Sequence, residues 1–157
     1  MKFRHAVRAL LVSPESRILL MKLQLKNPDR AFWIAPGGGV EQGEDLHNAL
    51  CREIFEETGN RGVRIGPLVW RRQHEFKIEG ESVHQFEEFF LCRTVEFNAV
   101  PKELNGPLEQ DSFRELRWWS LDEIRQSQEV FVPRALFYEL TKLLNDGFDG
   151  NPKDVGV

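Results

Sequence analysis

Apolar positions recur along this chain in runs whose period changes, and the changes mark the elements. Phe3 to Ser13 carries Ala6, Val7, Leu10, Leu11 and Val12 and reads as a strand. Ile18 to Leu25 reads as a second strand, joined to the first by the turn Ser13-Pro14-Glu15-Ser16. Asn27-Pro28-Asp29 ends that hairpin. Phe32-Trp33-Ile34 is a short strand running into Pro36-Gly37-Gly38-Gly39, which reads as a tight turn. The period becomes helical from Leu46 to Thr58, and Gly59 is placed to stop the helix. Val63 to Trp70 reads as extended, and Gln73 to Ile78 with Val83 to Arg93 as a hairpin about Glu79-Gly80-Glu81. Asn98 to Asp111 reads as a polar loop and Glu115 to Trp119 as a strand. Ser120 caps a brief helix, Leu121 to Gln126. Pro133 opens a last helix whose stripe is Leu136, Phe137, Leu140, Leu143 and Leu144. The order predicts an α/β or α+β class with a mixed sheet between helices. One domain is expected over 1–146, with a flexible tail over 147–157.

The chain has 157 residues, enough to bury a core without disulfide or metal staples. It has no apolar run of the ~18 residues that a membrane span needs, and no apolar stretch follows the charged N-terminus as in a secretory signal. Cys51 and Cys92 form no CxxC pair, so a reducing, cytoplasmic setting is the expectation.

Charge is informative only where it concentrates. The net charge is −4, yet the stretch from Gly38 to Asn60 holds six acids (Glu41, Glu44, Asp45, Glu53, Glu56 and Glu57) and a single base, Arg52. The rest of the chain is nearly neutral, which argues against a basic nucleic-acid face. On a helical wheel at about 100° per residue, Glu53 and Glu57 fall within about 20° of Leu46, and Glu56 lies close to Ala49. The acids therefore continue the apolar face, where a solvated acidic face would oppose it. They also occupy the last turn, where the helix dipole disfavours anions and where i, i+3 and i+4 neighbours repel. Local rules broken together at one place mark a functional site. A divalent cation removes the repulsion, and hard oxygen ligands suit Mg²⁺ or Mn²⁺. The glycine triplet before the helix permits close backbone approach to a metal or phosphate, although it is neither a P-loop nor a GxGxxG fingerprint.

The spacing Gly38, Glu44, then Arg52-Glu53-Ile54-Phe55-Glu56-Glu57-Thr58-Gly59 resembles the Nudix box, G-x5-E-x7-R-E-U-x-E-E-x-G-U with U a bulky aliphatic residue. The last aliphatic position is Asn60 here. The box spans 23 of 157 residues. Its flanks, Trp33 to Gly39 and Arg117-Trp118-Trp119-Ser120-Leu121-Asp122-Glu123-Ile124, resemble the family too. The resemblance implies an α/β/α sandwich with a mixed β-sheet. It also implies a hydrolase acting on a nucleoside diphosphate linked to another moiety, by metal-assisted attack of water on phosphorus. In those roles Glu53, Glu56 and Glu57 hold Mg²⁺ or Mn²⁺, with the Gly38 carbonyl as a further ligand. Arg52 pins a neighbouring carboxylate, Glu44 or Glu56. The substrate implied is a small-molecule nucleotide derivative, with no nucleic acid and no membrane as partner; a homodimer is compatible with the chain.

Outside the box, Glu109 and Glu87 are the candidates for a general base, and Glu87 also for a metal ligand. Trp33, Gly37, Gly39, Arg72 and Phe76 are the substrate-binding candidates. Trp70, Phe86, Arg4 and Arg71 stand behind them. His5, His47, His74 and His84 show no metal spacing. The alternative readings are a nucleotide-binding sensor on the same fold or an isomerase or repair-type relative. The intact carboxylates favour catalysis over both. The ADP-ribose, dinucleoside-polyphosphate, coenzyme A and NADH signatures are missing, which leans the substrate toward nucleoside triphosphates.

Overall fold

Both faces of the sheet are covered, and the alternation inside the first strand shows how. A computed structural model describes residues 1–26, 29–104 and 109–157, with the side chains of residues 109 and 110 outside that description. The strands are β1 (Lys2–Val12), β2 (Arg17–Lys26), β3 (Asp29–Ile34), β4 (Gly37–Gly39), β5 (Leu68–Ile78), β6 (Glu81–Arg93), β7 (Phe113–Ser120), β8 (Phe131–Val132) and β9 (Lys153–Asp154). The helices are α1 (Leu46–Thr58), α2 (Glu109–Ser112), α3 (Leu121–Gln126) and α4 (Leu136–Asp146). The sheet runs β8-β3-β2-β1-β6-β5-β9, with β4 also paired to β1 and β7 to β2. It is mixed: β1 and β6 are parallel, while β1 and β4, and β5 and β6, are antiparallel.

Val7, Ala9 and Leu11 of β1 pack with Phe90 and Cys92 against Ala49, Leu50 and Ile54 of α1. Leu10 and Val12 face the other way, toward Trp70, Phe89, Trp119 and the stripe Leu136, Leu140 and Leu143 of α4. The continuous apolar run of β1 is thus the signature of a strand buried on both sides. Ser120 caps α3 as the sequence predicts, in a reciprocal box with Glu123.

The structure departs from the sequence reading at several joints. The glycine triplet is a strand, because its backbone fills the ladder beside β1. Residues 63–67 are irregular, and β5 begins only at Leu68. Gly66 is one reason: a Cβ there would lie 2.0 Å from the Leu91 carbonyl oxygen, so the chain passes too close for a ladder strand. Pro133 precedes α4 by three residues and does not open it.

The tail is not loose. β9 adds to the outer edge of β5, Val155 is buried, and its N–H donates to the Arg71 carbonyl at 3.0 Å. Lys153 reaches Glu139 of α4 at 2.9 Å. An exposed edge strand needs a partner, and the chain supplies its own. Among the described residues no helix is long and apolar enough to cross a membrane.

Deleting residues 153–157 uncovers that edge and removes the burial of Val155, worth about 2 kcal/mol. At roughly 2–4 °C per kcal/mol, the melting temperature falls by about 4–8 °C. Calorimetry on the truncated chain checks this; an unchanged melting temperature contradicts it.

Candidate active site

The site forms where α1 crosses the glycine strand. Asp45 starts α1 by accepting the Asn48 N–H at 2.8 Å, and Gly59 ends it at φ 82°, a left-handed value that favours glycine. The apolar stripe of α1 fixes its rotation on the sheet. That rotation carries the acids inward as the wheel predicts: the side chains of Glu53 and Glu56 are 13% and 14% exposed, and Glu57 as a residue is 2% exposed. No basic residue occupies the last turn of α1. Its free carbonyls are met instead by N–H groups: Val100 donates to Thr58, and Lys102 and Glu103 donate to Glu56. At the departing last position of the box, Asn60 accepts the Gly62 N–H at 2.7 Å, so a side-chain turn replaces an aliphatic contact.

The glycines make room for these acids. Gly37 has φ 151°, and a Cβ there would lie 2.0 Å from the Val7 carbonyl oxygen. Its N–H donates to Glu57 Oε1 at 2.6 Å. A Cβ on Gly38 would meet the Glu53 carboxylate at 2.6 Å, so the missing side chain is the space that carboxylate occupies. Gly39 turns the opposite way, toward the Arg4 guanidinium.

One arginine organises the cluster. Arg52 grips Glu44 through Nε and Nη2, both at 2.9 Å, and donates to Glu53 at 3.0 Å, to Glu56 at 3.5 Å and to the Gly39 carbonyl at 3.1 Å. Its hydrogen bond to Glu44 holds the guanidinium charged, and the same bond keeps the Glu44 carboxyl below its ordinary range. Arg52 thus gathers Glu44, Glu53 and Glu56, while the Gly37 N–H holds Glu57. Among the described residues no three acidic, histidine or cysteine side chains converge on one point. The donor set nonetheless suits a hard cation. Glu53, Glu56 and Glu57 stand at i, i+3 and i+4, and the missing side chain of Gly38 gives the Glu53 carboxylate its room.

Strand register sorts the remaining candidates. Gly38 pairs with Val7, and Val7 pairs across β6 with Glu88 and on to Arg71. This row lies on the α1 face. Glu87, Arg72 and Phe76 belong to the opposite parity, on the α4 face, and Trp33 joins them there. Trp33 is therefore core and not a stacking platform: it is 1% exposed, edge-on to Trp119, and its Nε1–H donates to Glu129 at 3.0 Å. Phe76 stacks on His74. Glu87, expected as a metal ligand, is fully buried and paired with Arg8 at 2.7 Å and with Arg72. Burial alone would raise its carboxyl; Arg8, His74 and Arg72 outweigh that and hold it well below the carboxylate range. Burial also lowers the Arg72 guanidinium, whose Nε lacks a hydrogen-bond partner. Glu109 opens α2, but its side chain lies outside the described residues.

Two groups escaped the sequence reading. Glu88 accepts from His5 at 2.7 Å and from Arg71 at 3.3 Å on the α1 face. Arg8 is buried in the middle of β1. Its signal was available: a lone guanidinium inside the run Ala6 to Val12 requires a buried acceptor.

Comparison with known proteins agrees with this geometry. The NUDIX domain model matches residues 2–140. The RNA pyrophosphohydrolase of Novosphingobium aromaticivorans is 36% identical over 142 residues, which cover 83% of this chain and 84% of that protein. The RNA pyrophosphohydrolase of Caulobacter vibrioides is 30% identical over 156 residues, covering 92% and 87%. The crystal structure of the MutT protein from Methanosarcina mazei Go1 matches with a TM-score of 0.63 over 90% of this chain and 94% of that one, at 23% identity, and so shares the fold. With the box intact, its carboxylates turned inward and the match running over nearly the whole length, the chain belongs to the Nudix hydrolase family.

Proposed function

We propose that this hydrolase cleaves a phosphoanhydride bond in a nucleoside diphosphate linked to another moiety, nucleoside triphosphates among them. The observation that carries the reading is the inward carboxylate cluster of α1 against a glycine strand, with Arg52 gripping Glu44, Glu53 and Glu56. Glu53, Glu56, Glu57 and the Gly38 carbonyl would hold Mg²⁺ or Mn²⁺. When bound, the ion supplies Lewis acidity toward the diphosphate and acidifies water. Arg52 keeps Glu44 in place and restrains Glu53 and Glu56 until they are needed. The Gly37 N–H fixes Oε1 of Glu57. A second reading, the 5′-triphosphate end of an RNA, is favoured by the relatives named RNA pyrophosphohydrolases. A panel of nucleoside triphosphates, nucleotide sugars and a 5′-triphosphorylated oligoribonucleotide separates the two readings. Turnover of none of them favours a sensor on the same fold.

Glu57→Gln removes charge from a crowded cluster and preserves shape. Its melting temperature without metal is expected to equal or exceed that of the wild type, while hydrolysis falls by about 10²–10³-fold, as for loss of one transition-state electrostatic contact. Glu53→Gln is expected to behave alike. Normal turnover and normal Mn²⁺ affinity in both variants contradict the assignment.

Glu87 is enclosed by two guanidiniums, which favours Glu109 or a box glutamate as the base. Glu109→Gln is expected to lower kcat by about 10²–10⁴-fold with metal affinity retained. An unchanged kcat returns the base to a carboxylate of the box.

A further inference from the structure

The strand that holds Glu57 in place has no side chains of its own. Three glycines form β4, and their backbone freedom makes its position depend on hydrogen bonds and not on packing. On the β1 side the Ala9 N–H takes the Pro36 carbonyl at 2.8 Å. The carbonyls of Ala35 and Gly37, on either side of Pro36, both accept from Arg8 Nη1 at 3.2 Å. Arg8 is 4% exposed, and its Nε donates to Glu87 Oε2 at 2.7 Å. Glu87 is in turn paired with Arg72 on β5. The contacts therefore run from β5 and β6 through Glu87 and Arg8 to the two carbonyls, and from the Gly37 N–H to Glu57.

We infer that Arg8 is a positioning residue for hydrolysis: locked by Glu87, its guanidinium clamps the glycine strand so that the Gly37 N–H orients Glu57. This rests on the hydrolase reading above. The planar fork is essential to the role. One face of the guanidinium meets a carboxylate while Nη1 spans two carbonyls, whereas a lysine ammonium is a single point of charge on a flexible stem. Hydrogen bonds link Glu87 and Arg8 to Glu57 through the glycine strand. Arg8→Lys keeps the charge beside Glu87 and loses the fork. Glu87→Gln keeps the shape and loses the charge that locks Arg8.

The test has two arms. In the first, amide hydrogen exchange at Gly37, Gly38 and Gly39 is followed by NMR without metal, alongside amides in α4 as a reference for global stability. Faster exchange at the glycines by about ten-fold or more, with α4 unchanged, is expected for Arg8→Lys, and a smaller change in the same direction for Glu87→Gln. In the second arm, kcat is expected to fall by about ten- to hundred-fold with KM nearly constant, as for a small misplacement of a catalytic group. Wild-type exchange at the glycines in both variants overturns the clamp, whatever the enzyme hydrolyses. Faster exchange with normal kcat overturns its role in catalysis. If the wild type turns over no substrate, the hydrolase reading and the catalytic role of Arg8 fail together, and the exchange arm alone decides whether the clamp exists. Should Arg8→Lys not fold, Glu87→Gln carries both arms.

Discussion

Like-charge crowding at the end of α1 is the constraint around which this molecule is arranged. Glu53, Glu56 and Glu57 gather toward the C-terminal end of α1, where the helix dipole opposes them, and Glu44 joins them from before its N-cap. Each local feature answers that crowding. Arg52 gathers three of the four, and the Gly37 N–H takes the fourth. Gly38 yields the volume that Glu53 fills. The N–H groups of Val100, Lys102 and Glu103 cover the helix-end carbonyls. The inward carboxylates are the kind of hard oxygen donors that a divalent ion would take up.

The rest of the fold serves to hold two pieces in register, the helix that carries the acids and the strand that receives them. α1 is anchored by apolar burial against Val7, Ala9, Leu11 and Phe90, which fixes its rotation. β4 has no such anchor and is fixed by polar contacts instead. That difference gives a reason for the buried Arg8–Glu87–Arg72 group within the sheet. A buried ion group is weak evidence of stability, because desolvation consumes most of the attraction. Its value here is directional, in aiming a guanidinium at two carbonyls.

Much of this was legible in the sequence. The helix from Leu46 to Thr58, its stop at Gly59 and the inward azimuth of Glu53 and Glu57 all follow from spacing, because a helix converts sequence interval directly into direction. Strands do so only once the register is known. That is why Glu87 and Glu88 were indistinguishable as neighbours in a string, although one faces α4 and the other faces α1. Trp33 and Arg72 were misplaced for the same reason. The glycine triplet was read as a turn because nothing in three glycines says whether a partner strand lies beside them. The tail was read as flexible because Lys153 to Val157 carries only two apolar residues, Val155 and Val157, and its docking depends on the β5 edge, distant in sequence.

The central claim, that the crowded carboxylates form a site for a divalent cation, is tested most directly by thermal unfolding of the wild-type chain with Mg²⁺ or Mn²⁺ and with chelator. Ligand at ten times its dissociation constant stabilises by about 1.4 kcal/mol. At roughly 2–4 °C per kcal/mol, the melting temperature should rise by about 3–6 °C with metal. Identical melting temperatures with chelator and with millimolar metal would contradict the account.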